Sequence, residues 1–188
     1  QRATRIDAQI PFLAGVPEYT LKESWTNFSP KATLSYRFSP DVMGYATFSQ
    51  GFRSGGFNGR PTSPGEIGSF DPEKLTSYEV GLKTELFDRK LRLNVDAFYN
   101  VYKDQQVLIT GERNGIIVAF TENAGKSRMY GFEAEFDARV GGILSLNGSV
   151  GYLNSRYLDY DSLDANGNPV DLSDLRLKHA PKWTANLG

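Results

Sequence analysis

Leu91-Arg92-Leu93-Asn94-Val95-Asp96-Ala97-Phe98-Tyr99-Asn100-Val101-Tyr102 is the stretch that decides how this chain folds. Every odd position is apolar or aromatic. The even positions carry Arg92, Asn94, Asp96 and Asn100, interrupted only by Phe98 and Tyr102. Successive side chains of an extended backbone point to opposite faces, so this is a strand with one oily and one polar side. Thr76–Leu86 keeps the same rule with its even positions apolar, and Tyr130–Val140 does likewise. Weaker alternation runs through Pro30–Phe38, Met43–Phe52, Leu144–Tyr152 and Pro181–Gly188, which makes seven predicted strands and no helix.

The connections between these strands alternate in length. Ser39-Pro40-Asp41, Phe87-Asp88-Arg89-Lys90 and Gly141-Gly142 are tight turns built from turn-forming residues. Arg53–Lys74, Gln105–Gly115 and Asp161–Lys178 read as long polar loops. With antiparallel strands, every short turn then falls at one end of the sheet and every long loop at the other. A soluble sandwich has no reason to sort its connections, whereas a transmembrane barrel has short periplasmic turns and long extracellular loops. The alternating runs of roughly 10–12 residues exceed the usual ~5–6 of soluble strands and match the ~9–11 that cross a hydrocarbon core. Rings near strand ends (Tyr36, Phe38, Phe87, Tyr130, Tyr152, Trp183) sit where aromatic girdles form.

Composition narrows the function. The 188 residues hold 21 Lys+Arg against 22 Asp+Glu, so no basic face for nucleic acid is expected. The absence of Cys removes disulfides, thiolate nucleophiles and thiolate metal sites. His179 is the only histidine and reads as a surface residue. No run of 18 apolar residues forms a membrane helix, and no secretory signal opens the chain. The start at Gln1, without Met, suggests a mature product or a piece of something longer. Seven strands are one short of an even-numbered barrel, and an open edge in lipid leaves backbone groups unpaired at several kcal/mol each. The strands are therefore expected to be part of a larger wall.

Tyr45-Ala46-Thr47-Phe48-Ser49-Gln50-Gly51-Phe52-Arg53-Ser54-Gly55-Gly56-Phe57-Asn58 resembles the middle barrel of TonB-dependent outer-membrane receptors. Phe28–Tyr36, Leu75–Lys83, Asn94–Tyr99 and Gly131–Glu135 fit the same family, so the resemblance covers about residues 24 to 157 in order. It implies an all-β fold, an antiparallel transmembrane barrel wall contributing seven strands to a plugged barrel of about 22. It also implies a bacterial outer-membrane location and active uptake of a scarce nutrient. The cargo would be an iron–siderophore complex first, with cobalamin or another small molecule as alternatives. The implied partners are outer-membrane lipid, a plug domain of the same protein and TonB, which contacts an N-terminal segment. Plug, TonB-contacting segment and last strands are missing from this stretch, so residues 1–188 read as a partial barrel domain. No enzyme activity, cofactor or resident metal is implied.

Within this frame Arg53, Phe57, Asn58 and Arg60, in the large loop after the second strand, are the candidate ligand-binding residues. Arg suits anionic chelates, and rings suit catecholate or planar ligands. Plain loop packing or contact with the plug is the competing reading. Gly51, Gly55, Gly56 and Gly59 lack the Lys-Ser/Thr and the helix of a phosphate cradle and read as a strand running into a bent loop. Glu79 and Glu85 with Lys83, and Glu133, Glu135 and Asp137, read as a solvated lumen lining that contacts the plug. No nucleophile or histidine accompanies them for acid–base work. Asp159–Asp171 fails the EF-hand spacing in both registers and reads as an extracellular loop, with an irregular Ca²⁺ site left open. A passive porin or small structural barrel, and a soluble β-sandwich binding module, are the rival readings.

Overall fold

The computed structural model describes residues 21–58, 68–113, 116–164 and 168–188. All seven expected strands form one antiparallel sheet. In order across the sheet they are β1 (Lys31–Ser39), β2 (Val42–Arg53), β5 (Glu73–Leu86), β6 (Leu91–Arg113), β7 (Ile116–Val140), β8 (Leu144–Asp159) and β11 (Trp183–Leu187). Four short strands lie in the loops, pairing β3 (Gly56–Phe57) with β4 (Ser69–Phe70) and β9 (Asp161–Leu163) with β10 (Pro169–Asp171). No helix occurs among the described residues.

The connections sort as the sequence predicts. β1–β2, β5–β6 and β7–β8 are joined by tight turns at one end. Gly141 and Gly142 take φ of 62° and 71°, the left-handed conformation a tight hairpin turn needs and glycine adopts without penalty. Phe87, Asp88 and Arg89 adopt the same region without that freedom, and the Arg89 guanidinium pairs with Glu85 at 3.2 Å across the turn. At the other end one expectation is corrected. Gln105–Gly115 is not a loop up to Arg113: β6 and β7 continue as a long hairpin, in register from Gln105 opposite Ala124 to Arg113 opposite Ile116. These 23- and 25-residue strands outrun any hydrocarbon core, and beyond it no oily environment enforces alternation.

The register resolves two faces. One row across the sheet is Leu34, Ala46, Val80, Ala97, Phe132, Tyr152 and Trp183. The next, pointing the other way, is Ser35, Tyr45, Gly81, Asp96, Glu133, Gly151 and Thr184. Leu82, Leu93, Val95 and Phe136 belong to the apolar face, and no second protein layer covers them among the described residues. Leu34 is 76 % exposed and Val80 56 %. Six inter-strand spacings of ~4.8 Å and a band ~25 Å tall make an apolar face of roughly 700 Å², more than the ~300–600 Å² of a soluble monomer's largest patch. A soluble sandwich would have buried this face against a second sheet, so that rival reading fails here. The aromatic residues Phe48, Tyr78, Tyr99 and Tyr130 stand side by side in one row on the loop end of this face. Their neighbouring ring centroids lie 5.4 Å apart for Phe48–Tyr78 and 6.4 Å for Tyr99–Tyr130.

Candidate functional site

The polar face is a network of short, mostly charge-assisted contacts. The Tyr45 hydroxyl donates to Glu79 at 2.7 Å, and the Lys83 ammonium lies 5.8 Å from the centre of the Tyr45 ring. Asn94 donates to Glu135 at 2.7 Å, and Arg92 donates to Glu85 at 3.4 Å. Tyr45, Lys83, Asn94, Asp96, Glu133 and Glu135 line one shallow concavity. Ser149 and Thr184 also line it, and no histidine does among the described residues. Charges held by partners across neighbouring strands form a wetted wall that can bind a second protein surface through ion pairs and water. Gly81 permits this arrangement, because a Cβ there would stand 2.6 Å from the Tyr45 ring.

At the loop end, side-chain amides bind the connections together. Asn58 donates to the Thr121 carbonyl at 3.2 Å and accepts from the Thr121 amide at 2.8 Å. Gln106 donates through Nε2 to the carbonyls of Ser54 at 2.8 Å and Asp71 at 3.1 Å. Asn123 donates to the carbonyls of Asp71 and Asp104 at 2.9 and 2.7 Å and accepts from the Asp71 amide at 2.7 Å. Loop β2–β5 is thereby fastened to the projecting β6–β7 hairpin. Glycine is required where the loop turns: a Cβ on Gly55 would collide with the Phe70 carbonyl and the Trp25 ring, and one on Gly56 with the Phe70 ring.

The four candidate ligand residues fall in different surroundings. Arg53 is exposed at the end of β2, opposite Glu73, on the same side of the strand as Tyr45 and Thr47, and so at the inner rim. Phe57 is half-buried, with its ring 6.2 Å from that of Trp25. Asn58 spends both ends of its amide on the Thr121 backbone. Arg60 lies outside the described residues. Sequence reasoning missed Gln106, in a stretch read as loop, and Asn123, in a stretch given no reading, and only their polar amides could have signalled them.

The last long loop has its own small core, where the rings of Tyr157 and Tyr160 meet at 4.8 Å with Val107, Ile109, Leu172 and Leu177 around them. Tyr160 and Ser162 both donate to Glu122, at 3.1 and 2.8 Å. Burial first, then the charge of Glu122, pushes the Tyr160 phenol up to about 12. In the Asp159–Asp171 segment the Asp164 carboxylate accepts from the backbone and side-chain amides of Asn168 at 2.9 and 3.1 Å. Among the described residues no cluster of three or more metal-ligating groups exists. His179 is exposed, at φ 55°.

A one-layer antiparallel sheet with an oily outer face, a charged inner face and loops gathered at one end is the wall of an outer-membrane barrel. The family model for the TonB-dependent receptor β-barrel matches residues 4–188, and the chain belongs to that family. Its members are transporters of the Gram-negative outer membrane, not enzymes. The chain is 28% identical over 159 residues to the metal-pseudopaline receptor CntO of Pseudomonas aeruginosa, covering 85% of this chain and 20% of that protein. It is 32% identical over 120 residues to the pesticin receptor of Yersinia pestis, covering 63% of this chain and 17% of that one. Among solved structures it superposes on the siderophore receptor PiuA of Acinetobacter baumannii with a TM-score of 0.71 at 19% identity, over 95% of this chain and 26% of that one. The chain thus spans about a fifth of the length of the curated relatives it matches.

Proposed function

We propose that this chain is part of the barrel wall of a receptor that imports a metal chelate, most simply a ferric siderophore, across the outer membrane. Residues 1–188 would be a partial barrel domain, with β1 and β11 pairing further strands and a plug domain filling the lumen. The single observation that carries this reading is the inner face itself. Its paired carboxylates, amides and lysines suit a polar plug that must move, since hydrated ion pairs rearrange at little cost. The metal-pseudopaline receptor among the relatives supports a metal complex as cargo. Energy would come from TonB through a segment outside this stretch.

Arg53 at the inner rim is the residue best disposed to meet an anionic chelate entering between the loops. Phe57 would offer an apolar surface supported by Trp25, and Asn58 would act by holding the loop in position. Arg60 is retained as a second cation of the same loop. The test is growth of a receptor-deletion strain, complemented with the full-length receptor, on a panel of ferric chelates under iron limitation. Growth on at least one chelate is expected. Arg53→Ala should weaken binding of that chelate by about tenfold, the worth of one charge-assisted contact. Failure to import any chelate, with cobalamin or another nutrient imported instead, would overturn the cargo. Passive, TonB-independent leakage of small solutes would favour a porin.

A further inference from the structure

We propose that the projecting β6–β7 hairpin and the two loops lying on its faces are one cooperative block, in which a change in either loop is felt in the other across the ribbon. The part of the hairpin beyond the wall has two faces, set by strand alternation. Gln106 and Asn123 are cross-strand partners on one face, and Val107 and Glu122 are partners on the other. The Gln106–Asn123 pair holds loop β2–β5 through the carbonyls of Ser54 and Asp71 and the Asp71 amide. The Val107–Glu122 pair holds loop β8–β11. Val107 packs in the small core of Tyr157 and Tyr160, and Glu122 accepts from the hydroxyls of Tyr160 and Ser162 at 3.1 and 2.8 Å. Thr121, Glu122 and Asn123, consecutive along β7, thus carry contacts to both loops in turn.

The base of this block is marked by breaks in the ladder. Asp104 takes φ of 54°, in the left-handed region, and Asn123 holds its carbonyl at 2.7 Å. Gly125 has no room for a side chain, since a Cβ there would stand 2.8 Å from the Asp159 carboxyl group and 2.9 Å from its backbone carbonyl. On the other edge of β7 the register with β8 shifts between Lys126 and Ser127. These irregularities fall at one level, where the seven-stranded wall gives way to the two-stranded hairpin. Below it β6 and β7 are each paired on both edges; above it, among the described residues, they pair only with each other.

A two-stranded hairpin standing alone in water is marginally stable. This one owes its order to the layers on its two faces, and neither layer holds itself. Loop β2–β5 has only the two-residue strands β3 and β4 of its own, and loop β8–β11 the three-residue β9 and β10. Freeing one face leaves the ribbon held by the other alone, so hairpin and loops open together as a unit. Such coupling is reciprocal, each loop acting on the other by the same factor. A molecule seated on loop β8–β11 would then alter the surface that Arg53 and Phe57 present without touching either residue.

This inference rests on the loop contacts alone, so its outcome does not depend on the cargo. The test is hydrogen exchange of single amides in the full-length receptor, read in one loop after a change in the other. Asn58→Ala frees the Thr121 backbone, and the reporter is the Leu172 amide of the opposite loop, which donates to the Tyr160 carbonyl at 2.8 Å. Its exchange should quicken by the same factor as that of the Thr121 amide. In the other direction Ser162→Ala removes one hydrogen bond to Glu122 and should speed exchange of the Asp71 amide about fivefold. Ser162→Thr, which keeps the hydroxyl, should exchange like the parent. Should Asn58→Ala fail to insert, the two Ser162 variants decide alone. Quickened exchange confined to the loop that carries the change would mean that the ribbon insulates the two loops. Parent-like exchange in both loops would mean that the contacts bear no weight, and either result overturns the block.

Discussion

Tyr160 illustrates how a single side chain reports on the loop cluster. Its ring is 4 % exposed, packed on Tyr157, and its hydroxyl donates to a carboxylate that also serves Ser162. Ionising the phenol would place an anion in a low-polarity pocket beside Glu122, so the proton is held up to about 12, against the ordinary 10.0. The sign follows from linkage. A folded value raised above the unfolded one favours the folded loop below pH 10 and loses that contribution as pH climbs through about 12. Titration of tyrosinate absorbance in the full-length receptor should lose one tyrosine's share of its late-titrating amplitude in Tyr160→Phe. A variant with an unchanged titration curve would mean that Tyr160 is solvated. Tyr45 and Glu79 on the lumen face follow the same logic of pairing, with Gly81 leaving room for the ring.

At the scale of elements, the projecting β6–β7 hairpin depends on the amides that fasten it. Asn58→Ala leaves the Thr121 amide without its 2.8 Å acceptor and the Thr121 carbonyl without its donor. Leaving a half-buried backbone group unpaired costs about 1–3 kcal/mol, so hydrogen exchange of the Thr121 amide in the full-length receptor should quicken by roughly 5- to 150-fold. Exchange unchanged from the parent would show that the loop is held by other means. This hairpin also marks where the sequence stops being readable. Leu91–Tyr102 alternates because lipid lies on one side and water on the other, and that pressure ends near Lys103. Beyond it, Gln105–Arg113 looks polar and irregular although its backbone is strand. Arg53 was read as the first residue of the loop, whereas the alternation of β2 runs one residue further and makes it the last of the strand. The occupied amide of Asn58 was not legible, since its partner lies 63 residues away in the chain.

For the whole molecule, the division of the sheet into two faces decides everything that follows. An uncovered apolar surface in water would drive aggregation, whereas in a bilayer it is the solvated side. The charged face, unsuitable for lipid, then becomes the wetted lining of the barrel. The most direct measurement uses single cysteines at residues 93 to 98 of the full-length receptor in lipid vesicles. Each carries a spin label whose exposure to dissolved oxygen and to a water-soluble relaxant is recorded. This stretch of the protein has no native cysteine to interfere. Leu93→Cys, Val95→Cys and Ala97→Cys should be oxygen-accessible and shielded from the aqueous reagent, with Asn94→Cys and Asp96→Cys the reverse, giving a period of two. Uniform aqueous exposure along the strand, or burial of the odd positions from both reagents, would contradict the barrel wall.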